Sequence, residues 1–158
     1  RGLGDVYKRQ TLTWKGISLA AQFSWVADRW VFNNDRYLDE GNGLFETYNQ
    51  SSRLLYDRWK KPGDVTDIPR YGVTPQMDSR FLEDASFLRL KNLMLSYNFP
   101  QALLKKTNFL THLRVFVQGQ NLLTFTKFSG LDPEGVSNMY QAQYPSTRQF
   151  TFGLEVSF

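Results

Sequence analysis

The sequence predicts an all-β protein: an antiparallel wall of long amphipathic strands, of the kind that closes into a transmembrane barrel. One long external loop carrying a short helix interrupts it. Three observations carry this reading. Apolar and polar residues alternate over stretches of more than ten residues, whereas a strand in a soluble domain runs to about 5–6 and a transmembrane strand needs about 9–11. Short and long connections alternate along the chain, as the two ends of an outer-membrane barrel require. Aromatic residues make up 16% of the chain, yet mean hydropathy is negative and no run approaches the roughly 18 apolar residues of a membrane helix.

The elements follow in order. Residues 11–14 (TLTW) alternate and end at the turn signal Lys15-Gly16. Residues 17–32 form the next strand, with Ile17, Leu19, Ala21, Phe23, Trp25 and Ala27 on one face and Ser18, Ala20, Gln22, Ser24 and Asp28 on the other. Residues 33–84 lose the alternation and are rich in Asn, Asp, Arg, Pro and Gly. The spacing of Leu44, Tyr48, Leu55 and Trp59 predicts a helix near 44–59, stopped by Lys60, Lys61, Pro62 and Gly63. A connection of this length is either functional or a lid that packs on itself. The strand at 85–99 changes phase between Leu90 and Leu93, which reads as a β-bulge near Lys91-Asn92 or as a strand with both faces half buried. Pro100 stops it. A strand at 112–127, a second polar loop at 128–146 and a closing strand at 147–158 complete the chain.

In hydrocarbon every backbone polar group must be paired within the protein, so β structure spans a membrane only as a closed barrel. A wide barrel has lipid on one side of each strand and water on the other. On this reading Phe150, Phe152, Leu154, Val156 and Phe158 face lipid, and Gln22, Arg114, Gln118, Gln120, Thr151 and Glu155 face the lumen. The same polar residues would also suit the solvent face of a soluble sheet. Trp14, Trp30, Phe32, Tyr97, Phe99 and Phe128 lie near strand ends and suit an interfacial girdle, or a core.

No constellation of catalytic residues is present. The single histidine, His112, sits at a turn, and there is no cysteine to ligate a metal or form a disulfide. No phosphate-cradling glycine loop occurs, so no cofactor and no metal are expected, and the chain reads as no enzyme. Asp64, Asp67, Asp132 and Glu134 cap turns or, less economically, offer oxygens to a hard cation. Tyr48, Tyr56, Arg58 and Trp59 are the candidates for contact in the external loop. They either anchor the loop, meet a partner or touch a substrate.

The stretches FLEDASFLRLKNLMLSYNFP, LRVFVQGQNLLTFTKFSGLDPE and YPSTRQFTFGLEVSF resemble the C-terminal end of the SusC/RagA-type TonB-dependent outer-membrane transporters, and DRWKKPGDVTDIPRY resembles an external loop of that family. Met94 departs from the pattern, since it falls among residues expected to face the lumen. The resemblance implies the last four strands, and the stub of a fifth, of a plugged barrel of about 22 strands. It implies an importer of glycan or peptide fragments in the outer membrane of a Gram-negative bacterium of the Bacteroidota. The implied partners are a SusD-like surface lipoprotein, the TonB system acting through parts outside this chain, and the outer-membrane assembly machinery, which would recognise the closing strand with Phe158 as its final residue. The lipid bilayer surrounds it and no nucleic acid is involved. The alternative is a soluble secreted β-sheet module that binds carbohydrate.

The first ten residues, RGLGDVYKRQ, resemble the translation of a sequencing adaptor. They are set aside as non-native, so the domain is taken as 11–158. Without Arg1, Lys8, Arg9 and Asp5 the 19 basic and 15 acidic residues become 16 and 14, and the net charge falls from +4 to +2. The basic balance then carries no argument for a nucleic-acid partner.

Overall fold

The computed structural model describes residues 6–45, 47–107, 109–135, 137–141 and 143–158. The chain divides into two compact units. One comprises the residues up to Ala27, Ser86–Thr126 and Pro145–Phe158, and the other comprises Asp28–Ala85 and Lys127–Tyr144.

The first unit is a five-stranded antiparallel sheet. Its strands are β1 (Val6–Trp14), β2 (Ile17–Val26), β5 (Phe87–Asn98), β6 (His112–Thr126) and β8 (Gln149–Ser157), in the order β1-β2-β5-β6-β8. Lys15 and Gly16 join β1 to β2 with positive φ values of 45° and 88°. A two-residue turn of this hand matches the natural twist of the strands. The phase change in β5 is a register shift: Leu90 pairs with Phe23 and Asn92 with Gln22, which leaves Lys91 as an extra residue.

Register places the side chains. Leu19, Leu95, Val117 and Phe152 lie in one row across four strands, and Ala20, Met94, Gln118 and Thr151 lie in the next. One face of β2, β5, β6 and β8 is therefore apolar and the other mostly polar. Phe116 on the polar face stands directly opposite Gly153. A Cβ at residue 153 would lie 2.1 Å from Phe116 Cζ, so the ring covers the glycine and only glycine leaves it room.

The second unit has its own core. It holds β3 (Trp30–Asn33), β4 (Leu82–Asp84) and β7 (Met139–Tyr140) in the order β4-β3-β7, with helix α1 (Asn34–Asp39) and the single turn α2 (Arg53–Tyr56). Val31, Ala85, Phe128 and Tyr140 pack as one buried cluster. Phe32, Tyr37 and Phe81 meet edge-on or tilted at 5.3–6.2 Å between ring centroids.

Several expectations need correction. The strand expected over 17–32 ends at Val26. Asp28 takes a positive φ of 54°, and Trp30–Asn33 joins the second unit's sheet. The strand expected over 85–99 begins at Phe87, because Leu82–Asp84 pairs with β3 instead. The loop expected over 128–146 contains β7. Of the helix expected near 44–59 the described residues keep the single turn α2, Arg53–Tyr56: Leu44, Tyr48 and Leu55 are exposed, so their spacing marks no buried stripe. The true helix α1 starts at Asn33, whose Oδ1 accepts from the Arg36 N–H at 3.1 Å. Phe32 and Phe128 belong to the second unit's core and not to a girdle. Finally, Val6–Gln10 were set aside, yet they pair with Ala21–Trp25. The reason is that backbone pairing on an open strand edge is indifferent to side-chain identity.

In the full-length protein, Gly153→Val should destabilise the folded barrel by about 1–3 kcal/mol, the usual cost of overpacking. Adding Phe116→Ala should recover most of it. A double-mutant cycle on denaturant unfolding measures the coupling, and additive effects would show that the ring and the glycine act independently.

Candidate functional site

Two regions carry chemistry, the faces of the large sheet and the polar network of the second unit. Burial in the sheet is inverted. On the apolar face Phe150, Phe152 and Leu154 are 65%, 80% and 63% exposed. On the polar face Ser24, Arg89 and Ser96 are buried. Arg89 donates to Thr124 Oγ1 at 3.0 Å and to Ser146 Oγ at 3.1 Å. Arg114 faces Glu155 in register, and its Nη1 donates to both carboxylate oxygens at 3.2 Å. It also donates to Ser96 Oγ at 3.4 Å. Gln22, Gln118, Gln120 and Thr151 share this face, and Met94 lies among them with its sulfur 3.9 Å from Arg114 Nη2.

On β2, β5, β6 and β8 the apolar face has a gap at Gly119, in register with Leu93 and Phe150, and at the bulge residues. On β1 Leu12 and Trp14 continue it, but Lys8 and Gln10 fall on the same face opposite Phe23 and Ala21. Both interruptions lie within the first ten residues.

In the second unit two arginines hold distant segments together. Glu40, almost wholly buried, pairs with Arg36 at 2.9 Å and Arg53 at 2.5 Å. Arg36 also reaches Asp67 at 3.0 Å and Glu83 at 3.3 Å, and Arg53 reaches Asp67 at 2.9 Å. Burial pushes the Asp67 carboxyl up, but its hydrogen bond and charge pairing with Arg53, with Arg36 beyond, outweigh this and hold it below the ordinary carboxylate value. Burial likewise pushes Glu83 up, and hydrogen bonds from the Ser129 hydroxyl and N–H, with Arg36, bring it below the ordinary value. Asp39 runs the other way, raised by burial and by the charges of Asp35 and Glu40. Asn42 adds a second anchor: its Nδ2 donates to the Arg70 carbonyl at 2.7 Å and the Val73 carbonyl at 2.9 Å.

The four loop candidates are not brought together. Trp59 lines an open groove with Ile68 and Arg80, while Tyr56 and Arg58 border a separate depression. Arg58 lies over the Tyr71 ring at 5.5 Å. Tyr48 is exposed and borders neither. Asp64 Oδ2 accepts from the N–H groups of Lys60 and Lys61, and Asp132 Oδ1 from that of Glu134, all at 3.0 Å. These are turn caps. His112 is exposed at the start of β6. The Arg36–Glu40 pair was visible as an i,i+4 spacing, but nothing local marked Arg53, Glu83 or Asn42, and Asp67, expected to cap a turn or meet a cation, pairs with Arg36 and Arg53 instead.

Asp67 and Glu83 have depressed folded values, so their contribution to stability is complete above the unfolded carboxylate range, about pH 4–4.5, and is lost as pH falls through the folded values below it. Hydrogen exchange of the backbone amides between residues 53 and 83 of the full-length protein, corrected for the intrinsic pH dependence of exchange, should stay slow near about pH 4.5 and speed up at lower pH. Opening already near neutral pH would contradict this. Glu40→Ala leaves two arginines without their shared acceptor and should loosen the same segment by about 2–4 kcal/mol, read by local hydrogen exchange.

No family model matches the chain. TonB-dependent receptor P3 of Formosa agariphila is 39% identical over 121 residues, covering 68% of this chain and 12% of the relative. TonB-dependent receptor P26 of the same organism is 30% identical over 167 residues, covering 94% and 16%. TonB-dependent receptor SusC of Bacteroides thetaiotaomicron is 35% identical over 87 residues, covering 55% and 9%. Among solved structures, the RagAB peptide importer in its open-open state superposes with a TM-score of 0.84 at 42% identity, covering 92% of this chain and 16% of that one. The closed-closed state gives 0.83. The chain thus spans about one sixth or less of the relatives it matches. With 39% identity to one TonB-dependent receptor over 68% of its length, 30% to another over 94%, and 42% to the RagAB structure over 92%, the chain belongs to the SusC/RagA type of TonB-dependent receptors and is a fragment of their large β-barrel.

Proposed function

We propose that the full-length protein is an outer-membrane importer of a Gram-negative bacterium, taking up glycan or peptide fragments in a TonB-dependent way with a SusD-like lipoprotein as its surface partner. It moves its substrate without converting it. The apolar face meets lipid and the polar face lines the lumen. The observation that carries this reading is the inverted burial: Phe150, Phe152 and Leu154 stand exposed while Ser24, Arg89 and Ser96 are covered. A soluble carbohydrate-binding module would hold that apolar face in water across the whole sheet, far beyond the few hundred Å² a soluble monomer tolerates. Membrane lipid removes the cost.

The two polar residues that break the apolar face, Lys8 and Gln10, support reading residues 1–10 as foreign to the native strand. The native gene should encode residues there that restore the alternation against Phe23 and Ala21. Tyr48, Tyr56, Arg58 and Trp59 fall in the loop unit, where the lipoprotein or the substrate would approach. The closing strand, with Phe158, is the segment offered to the assembly machinery.

In the full-length protein, Leu154→Arg should impair folding into the outer membrane by about 2–4 kcal/mol, while Thr151→Arg should be tolerated. Heat-modifiability of the barrel on a gel and its yield in outer-membrane fractions report the difference. Equal effects would refute the assignment of faces.

A further inference from the structure

Charge is segregated between the two units. From residue 11 onward the first unit carries seven lysines and arginines and one acid, Glu155, whereas the second carries nine and thirteen. Such an asymmetry points to an anionic partner for the basic part. Four of the seven cations are placed elsewhere. Arg89 and Arg114 are hydrogen-bonded on the polar face, Lys91 is the extra residue of the bulge, and Arg148 precedes β8. The other three, Lys15, Lys105 and Lys106, lie in the two short connections. These connections are neighbours at one end of the sheet, since the Asn98 N–H donates to the Gly16 carbonyl at 2.8 Å.

The apolar face runs into this end. Trp14, Ile17, Tyr97, Val115 and Leu154 form one row across the five strands. The Phe99 N–H donates to the Leu113 carbonyl at 3.0 Å, and Leu113 pairs with Val156 in the next row. Beyond it the Phe109 and Phe158 rings stack 13° from parallel, with centroids 6.2 Å apart. Trp14, Leu103, Phe109 and Phe158 are all exposed.

The lysines are held beside these apolar groups. Leu104 ends the single helical turn α3 (Gln101–Leu104) and is buried. Gln101 Nε2 donates to the Thr111 carbonyl at 3.0 Å, which ties the connection back to the start of β6. Lys105 and Lys106 follow α3 at once in a tighter turn. Both are exposed, and among the described residues neither side chain has an ion pair or a hydrogen-bond partner. Lys15 Nζ lies 4.9 Å from the centre of the Trp14 ring. No Asp or Glu occurs anywhere between Ser86 and Thr126 to offset these charges. A soluble anion would meet the lysines but leave Leu103, Phe109 and Phe158 in water. A phospholipid answers both needs, with its phosphate at the ammonium groups and its chains against the rings.

We propose that this end of the sheet binds the headgroup phosphate of anionic phospholipids, with Lys105 and Lys106 as its charge partners and Lys15 adding to the positive field. Short connections face the periplasm in outer-membrane barrels, so the leaflet concerned is the inner one. The proposal rests on the membrane reading and adds a headgroup preference to it.

The test places a single cysteine by Leu103→Cys in the full-length protein, attaches a bimane fluorophore and reconstitutes it at low salt in equal mixtures of phosphatidylglycerol and phosphatidylcholine. One lipid at a time carries brominated chains, which quench the fluorophore on contact. Quenching should show phosphatidylglycerol enriched about fivefold at this site, the effect of about one lysine at an anionic surface. Lys105→Gln with Lys106→Gln should bring the two lipids level, and the corresponding pair of arginine substitutions should keep the enrichment. Lys60→Gln with Lys61→Gln, the same charge change in the loop unit, should also keep it. The Lys105 and Lys106 side chains hold no other segment, and heat-modifiability of the barrel checks that the variants fold. Equal quenching by both lipids in the parent protein, or an enrichment that persists in the Lys105 and Lys106 glutamine pair, would overturn the proposal and leave the membrane reading standing. Equal quenching together with a lower yield of folded barrel in that pair would assign the lysines to a protein partner instead. No quenching by either lipid would overturn the membrane reading and the proposal with it.

Discussion

Backbone pairing is the constraint on which the sheet depends. Where no water reaches the chain, each unpaired N–H or C=O costs several kcal/mol, so every strand must be hydrogen-bonded along both edges. The inner strands β2, β5 and β6 meet this on both edges, with 10 residues in β2 and 15 in β6, and their register shifts only at the bulge beside Lys91. Register then decides everything about the side chains. A slip of one residue would turn Phe152 and Leu154 inward and bring Thr151 and Glu155 out. The Phe116–Gly153 contact and the Arg114–Glu155 pair both sit on the polar face between β6 and β8, and both work only in the observed register. The pair is partly exposed, so its value lies more in choosing the register than in raw stability.

The second unit solves a different problem. Its segments are short of regular structure and come from distant parts of the chain. Two arginines and three carboxylates tie them together where a larger apolar core is lacking. Such a network is costly to bury and is sensitive to losing any one member. It also holds backbone in place, since Arg36 Nη1 donates to the Arg80 carbonyl at 3.2 Å.

The sheet was largely legible because its period is local. Alternation at 149–158 states its own faces, and the phase change between Leu90 and Leu93 announced the bulge at Lys91. The breaks at Asp28 and near Ser86 did leave a local sign, since Arg29 falls in the phase of Trp25 and Ala27, and Asp84 and Ser86 in the phase of Leu88 and Leu90. What no local pattern states is that the second unit's sheet captures Trp30–Asn33 and Leu82–Asp84. The helix expected near 44–59 shrinks to the one turn Arg53–Tyr56, because helical spacing means little without burial. The loop network was hidden for a simpler reason. Arg36 and Asp67 are 31 residues apart, and no local pattern says which carboxylate an arginine will find. Of the loop candidates, only Trp59 reaches the groove that Ile68 and Arg80 also line.

The central claim is that one face of the sheet meets lipid and the other meets water. Single cysteine substitutions along β8 of the full-length protein, spin-labelled after reconstitution in bilayers, test it residue by residue. Labels at 150, 152, 154 and 156 should be relaxed by oxygen, which concentrates in lipid, and labels at 149, 151, 155 and 157 by a water-soluble nickel chelate, giving a period of two along the strand. Uniform access to the aqueous reagent, or the opposite phase, would contradict the account.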